Sequence, residues 1–184
     1  MPKNKKTLRK NSLQTRQGIK PGLHERKTAE IAKKVLAHPL VKKAKIIGVY
    51  YSINNEVGTV DLIKALLAQD KIVCLPRIDD QELIFCVINN LLNTLEPHPV
   101  YHNLLEPKES NPKISDKNQL DVIIAPIVSY DDNNNRLGYG GGFYDRYFAD
   151  YQGFKLGLAF YEQKHSALLP TEQTDVKLDE IIVG

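Results

Sequence analysis

No apolar run in this chain of 184 residues approaches the roughly 20 residues needed to cross a membrane. The basic start, MPKNKKTLRKNSLQTRQ, is followed by no apolar core and does not read as a secretory signal. Cysteine is scarce: Cys74 and Cys86 lie in separate apolar runs, with no CxxC and no cluster. Buried, reduced thiols in a cytoplasmic protein are therefore expected, rather than a disulfide or a metal site. His98 and His102 stand four apart, but Pro99 between them argues against a helix and so against a metal pair. Also missing are a Ser-His-Asp or Cys-His nucleophile system, an internal repeat and a flexible interdomain linker. The remaining composition, 42% hydrophobic and 26% charged, is that of a globular chain able to bury a sizeable core in one domain.

The net charge of +3 conceals an asymmetry. Residues 1–45 carry fourteen Lys or Arg against Glu25 and Glu30, a balance of +12, whereas the remainder holds eleven basic and twenty acidic residues, a balance of −9. A basic arm of this kind suits RNA, a membrane surface or a polyanionic small molecule, or is simply a pair of solvated helices.

Helix and strand signals alternate along the chain. Residues 5–17 and 24–38 are basic with spaced apolar positions and predict helices. The stretch 59–69 predicts an amphipathic helix, with Thr59 as N-cap and Asp61 in the first turn. AKIIGVYYS, KIVCLPRI, ELIFCVI, LDVIIAPIV, FKLGLAF and EIIV predict strands, the second and third joined by a polar turn at Asp79–Gln81. The near-continuous apolar character of LDVIIAPIV is that of a parallel strand covered on both faces. Residues 89–118, rich in Pro, Asn and Lys, read as a long irregular surface excursion. The expectation is one α/β domain over 1–184, with a mostly parallel sheet, helices on both faces in a three-layer, Rossmann-like arrangement, and a basic helical arm over about 1–43.

Four of the eleven glycines fall inside five positions, at Gly138, Gly140, Gly141 and Gly142, directly before FYDRYFADY, which predicts a helix. Glycine weakens regular structure, and such a loop after a strand end permits close backbone approach to a ligand. Positive φ is expected at Gly141. Loop N–H groups at a helix start suit phosphate oxygens, yet no GK[ST] follows and the third glycine of GxGxxG would fall on Phe143. A phosphate cradle and a purely structural turn both fit. Asp145 reads either as a Mg²⁺ ligand or as a first-turn acid, Glu56 as a ligand acceptor or a solvated acid, and Arg77 as a phosphate contact or a surface ion pair.

NRLGYGGGFYDR at 135–146 resembles the signature of the 5-formyltetrahydrofolate cyclo-ligase family, also called 5,10-methenyltetrahydrofolate synthetases. KKTLRK at 5–10, YYSINNEVGT at 50–59, KIVCLPRI at 71–78 and LPTEQTDVKLDEIIV near the end extend the resemblance over nearly the whole chain. The resemblance implies ATP- and Mg²⁺-dependent closure of 5-formyltetrahydrofolate to 5,10-methenyltetrahydrofolate, with ADP and phosphate released through a phosphorylated formyl group. Lys5, Arg9 and the strip Arg136, Leu137, Gly138, Tyr139, Gly140, Gly141, Gly142, Phe143 and Tyr144 would contact ATP, with Arg136 and Tyr144 positioning the reactants. Tyr51 and Glu56, with residues 139–143, would hold the folate, and Asp145 and Asp175 the Mg²⁺. The basic arm then serves ATP; neither nucleic acid nor membrane is expected as a partner, and a monomer is. Phe143 stands where the family usually has tyrosine, Gly58 where an acid is common, and Thr174 where histidine usually precedes Asp175.

Overall fold

The apolar runs assemble into one six-stranded sheet in the order β10-β9-β6-β1-β2-β3 in the computed structural model, which describes residues 4–100 and 103–184. His102, one of the two histidines spaced four apart, lies outside the described residues, and His98 is buried. In chain order the elements are α1 (Lys5–Gln17), α2 (Pro21–Ala37), α3 (Pro39–Lys43), β1 (Ile46–Val49), α4 (Val60–Leu67), β2 (Ile72–Asp79) and β3 (Glu82–Ile88). The short strands β4 (Leu95–Pro97) and β5 (Leu105–Pro107) follow, then β6 (Val122–Pro126), β7 (Ser129–Tyr130) and β8 (Arg136–Leu137). The chain closes with α5 (Phe143–Phe148), β9 (Phe154–Ala159) and β10 (Glu180–Val183).

Every pairing in the large sheet is parallel except β2 with β3, which form a hairpin. Asp80 (φ 43°) and Gln81 (φ 69°) at its tip both take the left-handed conformation that a tight hairpin with right-twisted strands requires. Alternate residues of the strands feed two cores. Ile31 and Val35 of α2 and Leu62, Ile63 and Leu66 of α4 pack on Ile47, Val73, Ile124 and Leu156. Phe148 of α5 and Tyr151 pack on the opposite face, against Cys74, Phe85, Ile123 and Ala125. Helices therefore cover both faces, as the apolar strand pattern predicts. Leu8 of α1 joins Leu137 and Leu169 in a third cluster, which fixes the basic helix beside the glycine loop. No helix among the described residues is long and apolar enough to cross a membrane.

Both cysteines are free and buried, and burial pushes the Cys74 thiol up to about 12, leaving it an inert apolar group. Three local expectations need correction. Thr59 occupies the N-cap position of α4 but makes no capping bond; its hydroxyl donates to the Tyr50 carbonyl at 2.7 Å and accepts from Ser52 N–H at 3.0 Å. Complete burial between β1 and α4 gives it better partners than the helix end. Residues 89–118 are not wholly irregular, since β4 and β5 pair as an antiparallel ribbon. Arg77 does form an ion pair with a partly exposed acid, Glu96 at 2.8 Å, but its Nη1 also lies 3.1 Å from the fully buried Glu106, and so ties that ribbon to β2.

Candidate active site

The turn Asp131–Asn135 is built around one carboxylate. Asp131 Oδ1 accepts from the N–H groups of Asn133 and Asn135 at 2.9 and 3.0 Å, and Oδ2 accepts from Asn135 Nδ2 and the Leu169 N–H, both at 2.8 Å. Burial works against this carboxylate, but those four bonds hold its pKa below the usual range. The β7–β8 hairpin it closes delivers residues 138–142 to the mouth of a cleft of about 1570 Å³.

Within that loop, Gly140 (φ +108°) and Gly142 (φ +66°) occupy left-handed backbone. Gly141 does not, which corrects the expected reason for glycine there. A Cβ on Gly141 would stand 2.6 Å from Cε2 of Phe143, so the constraint is steric. Arginines hold the loop from outside. Arg9 Nε donates to the Gly138 carbonyl at 2.9 Å, and Arg146 Nη1 donates to the Gly141 carbonyl at 2.9 Å. Among the described residues, the N–H groups of Tyr139, Gly140 and Gly141 have no protein acceptor. Two of the loop's carbonyls are thus fixed by arginines, while these three N–H donors, on residues that line the cleft, stay unbonded among the described residues. Helix α5 ends at Phe148, shorter than the predicted stretch, so these loop donors and the arginines, rather than a long helix dipole, supply the positive field.

One end of the cleft is ionic. Lys5 Nζ lies 2.6 Å from Asp175 Oδ2 and 3.0 Å from Glu172. Burial opposes both charges, yet the hydrogen bonds and opposite charges prevail: the Lys5 pKa is raised and that of Asp175 lowered. Arg136 Nη2 donates to Asp145 Oδ1 at 3.1 Å, which also accepts from the Val176 N–H at 3.1 Å. The Arg136 side chain is 3% exposed; its Nε lacks a partner among the described residues, and burial lowers its pKa. Its guanidinium sits 5.6 Å from the Tyr144 ring centroid, and the Tyr144 hydroxyl is also buried without a partner among the described residues.

The other end is built on Glu56. Oε2 accepts from the Ile53 N–H at 2.8 Å and Oε1 from the Tyr139 hydroxyl at 3.0 Å. Burial raises the Glu56 pKa, opposed by the Ile53 N–H, the charge of Arg16 and the Tyr139 hydroxyl. Burial, and then the Glu56 charge, push the Tyr139 hydroxyl up to about 12, so it remains a donor.

Every residue that the family resemblance assigns to ATP, folate or Mg²⁺ lines this cleft: Lys5, Arg9, Tyr51, Glu56, Arg136 to Asp145, and Asp175; Arg77 does not. Leu137 is buried against Leu8 and Leu169, so it offers backbone rather than side chain. Arg16 and Arg146 were not singled out: in sequence Arg16 is one more cation in the basic arm, and Arg146 follows Asp145 on the short helix after the glycines. Among the described residues, no group of three or more His, Cys, Asp or Glu is placed to hold a metal. Two carboxylates on one wall nonetheless fit Mg²⁺, which typically takes one or two carboxylates and completes its shell with water and phosphate oxygens.

A family profile for the 5-formyltetrahydrofolate cyclo-ligase family matches residues 2–184. The 5-formyltetrahydrofolate cyclo-ligase of Haemophilus influenzae is 36% identical over 149 residues, covering 78% of each chain. The enzyme of that name from Mycoplasma pneumoniae is 33% identical over 184 residues, covering 97% of this chain and 98% of the relative. Among solved structures, a 5,10-methenyltetrahydrofolate synthetase from Mycoplasma pneumoniae aligns with TM-score 0.77 and 29% identity, over 97% of this chain and 98% of that one. One from Aquifex aeolicus aligns with TM-score 0.85 and 26% identity, over 97% and 89%. The profile match over residues 2–184, with named relatives up to 36% identical, shows that this protein belongs to the 5-formyltetrahydrofolate cyclo-ligase family and is a ligase.

Proposed function

We propose that this protein closes 5-formyltetrahydrofolate to 5,10-methenyltetrahydrofolate while converting ATP to ADP and phosphate, with Mg²⁺ as its metal. The observation that carries the reading is the glycine loop between the two ends of the cleft, with its Gly138 and Gly141 carbonyls held by Arg9 and Arg146 and the N–H groups of Tyr139, Gly140 and Gly141 without an acceptor among the described residues. Such a strip can receive phosphate oxygens on one side and a flat heterocycle on the other.

The chemistry requires no protein nucleophile. The N5-formyl group is an amide, and its oxygen is a poor leaving group. Transfer of the γ-phosphoryl group to that oxygen activates the carbon, folate N10 attacks it, and loss of phosphate completes the ring. The protein then works by positioning and by charge. Lys5, Arg9 and Arg136, which line the cleft, meet the phosphates. Tyr51 and Phe143 bound the folate, while Glu56 accepts hydrogen bonds from its amino-bearing edge. Asp145 and Asp175 are the residues that would hold Mg²⁺, whose contribution when bound is to neutralise phosphate charge. The unit is one domain over 1–184, acting as a cytoplasmic monomer, with no nucleic-acid or membrane partner.

ATP consumption should depend on the folate and match the methenyl product in amount, followed by the product's absorbance alongside ADP release. Rapid ATP hydrolysis without folate, or none of the cyclised product with it, would refute the proposal. The basic helix provides a second test. Lys5→Ala and Arg9→Ala should each lose about 1.5–3 kcal/mol of phosphate binding, on the order of ten- to hundredfold in kcat/KM for ATP. Lys42→Ala and Lys43→Ala, on exposed positions of α3, should change it little. Equal losses at all four positions would point instead to a diffuse electrostatic effect.

A further inference from the structure

Arg16, in the last turn of α1, is fully buried. Removing a guanidinium from water is costly unless its hydrogens are bonded and its charge is answered. Nη1 donates to the Ile127 carbonyl at 3.2 Å; Nη2 donates to the Asn54 carbonyl at 2.9 Å and to the Tyr139 hydroxyl oxygen at 2.6 Å, while Nε has no partner among the described residues. The guanidinium carbon lies 5.7 Å from the Tyr139 ring centroid. The answering charge is reached through that tyrosine, whose hydroxyl donates to Glu56 Oε1 at 3.0 Å.

The direction of this chain of bonds is set by chemistry. A guanidinium has no acceptor, so the Tyr139 oxygen must accept from Arg16 and its single proton is left for Glu56. Glu56 cannot turn away, because Ile53 N–H holds its other oxygen at 2.8 Å. One cation thereby joins the 53–56 loop, the end of β6 and the glycine loop. The same helix carries Arg9, which holds the Gly138 carbonyl two turns earlier.

We propose that Arg16 is a positioning residue for the folate: acting through Tyr139, it holds Glu56 as a fixed, ionised acceptor for the amino-bearing edge of the pterin. Helix α1 then belongs to both halves of the cleft, with Lys5 and Arg9 at the phosphate end and Arg16 behind the folate end. This deepens the assignment of Glu56 made above and rests on it. The other groups facing Glu56 cannot replace Arg16. The Tyr50 hydroxyl donates to the Val57 carbonyl, and burial raises the pKa of the Tyr50, Tyr139 and Tyr144 phenols, keeping them neutral. His24 Nε2 meets the Glu56 backbone carbonyl at 2.8 Å rather than the carboxylate. Burial raises the Glu56 pKa and the Arg16 charge opposes that rise, so loss of the cation leaves Glu56 protonated to higher pH.

The test is steady-state kinetics of the full-length protein across pH, varying 5-formyltetrahydrofolate and ATP separately, for Arg16→Met, Arg16→Lys, Tyr139→Phe and Glu56→Gln. Arg16→Met should raise the folate KM about tenfold or more while changing the ATP KM less than about twofold. The acid limb of kcat/KM for folate should move to higher pH. Arg16→Lys, which keeps the charge, should restore much of the limb's position. Tyr139→Phe breaks the connection from the other side and should shift the limb in the same direction. Combined with Arg16→Lys, it should cost less than the product of the separate losses. Glu56→Gln should abolish the limb. Equal rises in folate and ATP KM for Arg16→Met, or an unmoved acid limb in both Arg16→Met and Tyr139→Phe, would overturn the inference while leaving the function intact. If Arg16→Met fails to fold, Arg16→Lys and Tyr139→Phe decide. Unchanged folate KM in Glu56→Gln would remove the assignment on which the inference rests, and a wild-type protein that does not cyclise the folate would remove the proposed function itself.

Discussion

Gly141→Val is expected to abolish turnover in a protein that still folds. A Cβ at this position would come within 2.6 Å of Cε2 and 2.8 Å of Cδ2 of Phe143, closer than real Cβ contacts allow. The ring packs against the core beside α5 and lies 5.1 Å from the Arg146 guanidinium, so moving it disturbs both contacts. Arg146 in turn holds the Gly141 carbonyl and the Gln81 carbonyl, both at 2.9 Å. Displacing Phe143 therefore loosens the bracket that sets the direction of the loop's N–H groups. Neither apolar face of the large sheet includes Gly141, so the damage should be local. Gly22→Ala on α2, where a Cβ meets nothing within 4 Å, is the matched control and should leave turnover unchanged. Turnover measured beside circular dichroism decides the matter: near-normal activity in a folded Gly141→Val protein would dispose of the glycine strip as the reaction platform.

Asp145→Asn should have two separable effects. The amide oxygen can still accept from Arg136 Nη2 and the Val176 N–H, so the local geometry survives. The charge does not. Arg136, with a side chain 3% exposed, loses its directly bonded carboxylate, and stability should fall by about 1–3 kcal/mol. Removal of a carboxylate from the Mg²⁺ shell should raise the Mg²⁺ concentration for half-maximal turnover about tenfold or more, with excess metal restoring part of the activity. Turnover against Mg²⁺, with urea denaturation of the same samples, separates the two. A variant that loses stability but keeps the wild-type Mg²⁺ dependence would show Asp145 to be only the counter-ion of Arg136. Asp175→Asn should shift the metal dependence in the same direction while releasing Lys5, its ion-pair partner at 2.6 Å.

The strands were legible because each is a short apolar run bounded by turns, and burial on both faces leaves little choice of what such a run can be. The glycine loop was legible for a similar reason: few structural tasks call for four glycines in five positions. Boundaries and partners were less so. Thr59 stands where a capping residue stands, but the neighbouring Tyr50 carbonyl outbids the helix end for its hydroxyl. The 89–118 segment lacks a strand-like pattern because β4 and β5 are three residues each, stabilised by Glu106 and Arg77 rather than by apolar alternation.

By itself the sequence determined the α/β class, the strand–loop–helix context of the glycine run and the chemical character of the residues beside it, since all three follow from patterns within a few positions. Only the tertiary structure decided which charges answer one another. Lys5 and Asp175 are 170 positions apart and meet at 2.6 Å; Arg16 and Tyr139 are 123 apart and also meet at 2.6 Å. In the sequence Arg16 is one cation among fourteen in residues 1–45, indistinguishable from a solvated lysine. Its role depends on burial, and burial arises only when the 53–56 loop, the end of β6 and the glycine loop converge on it, because the energy of a charge is set by what surrounds it in space and not by its neighbours along the chain.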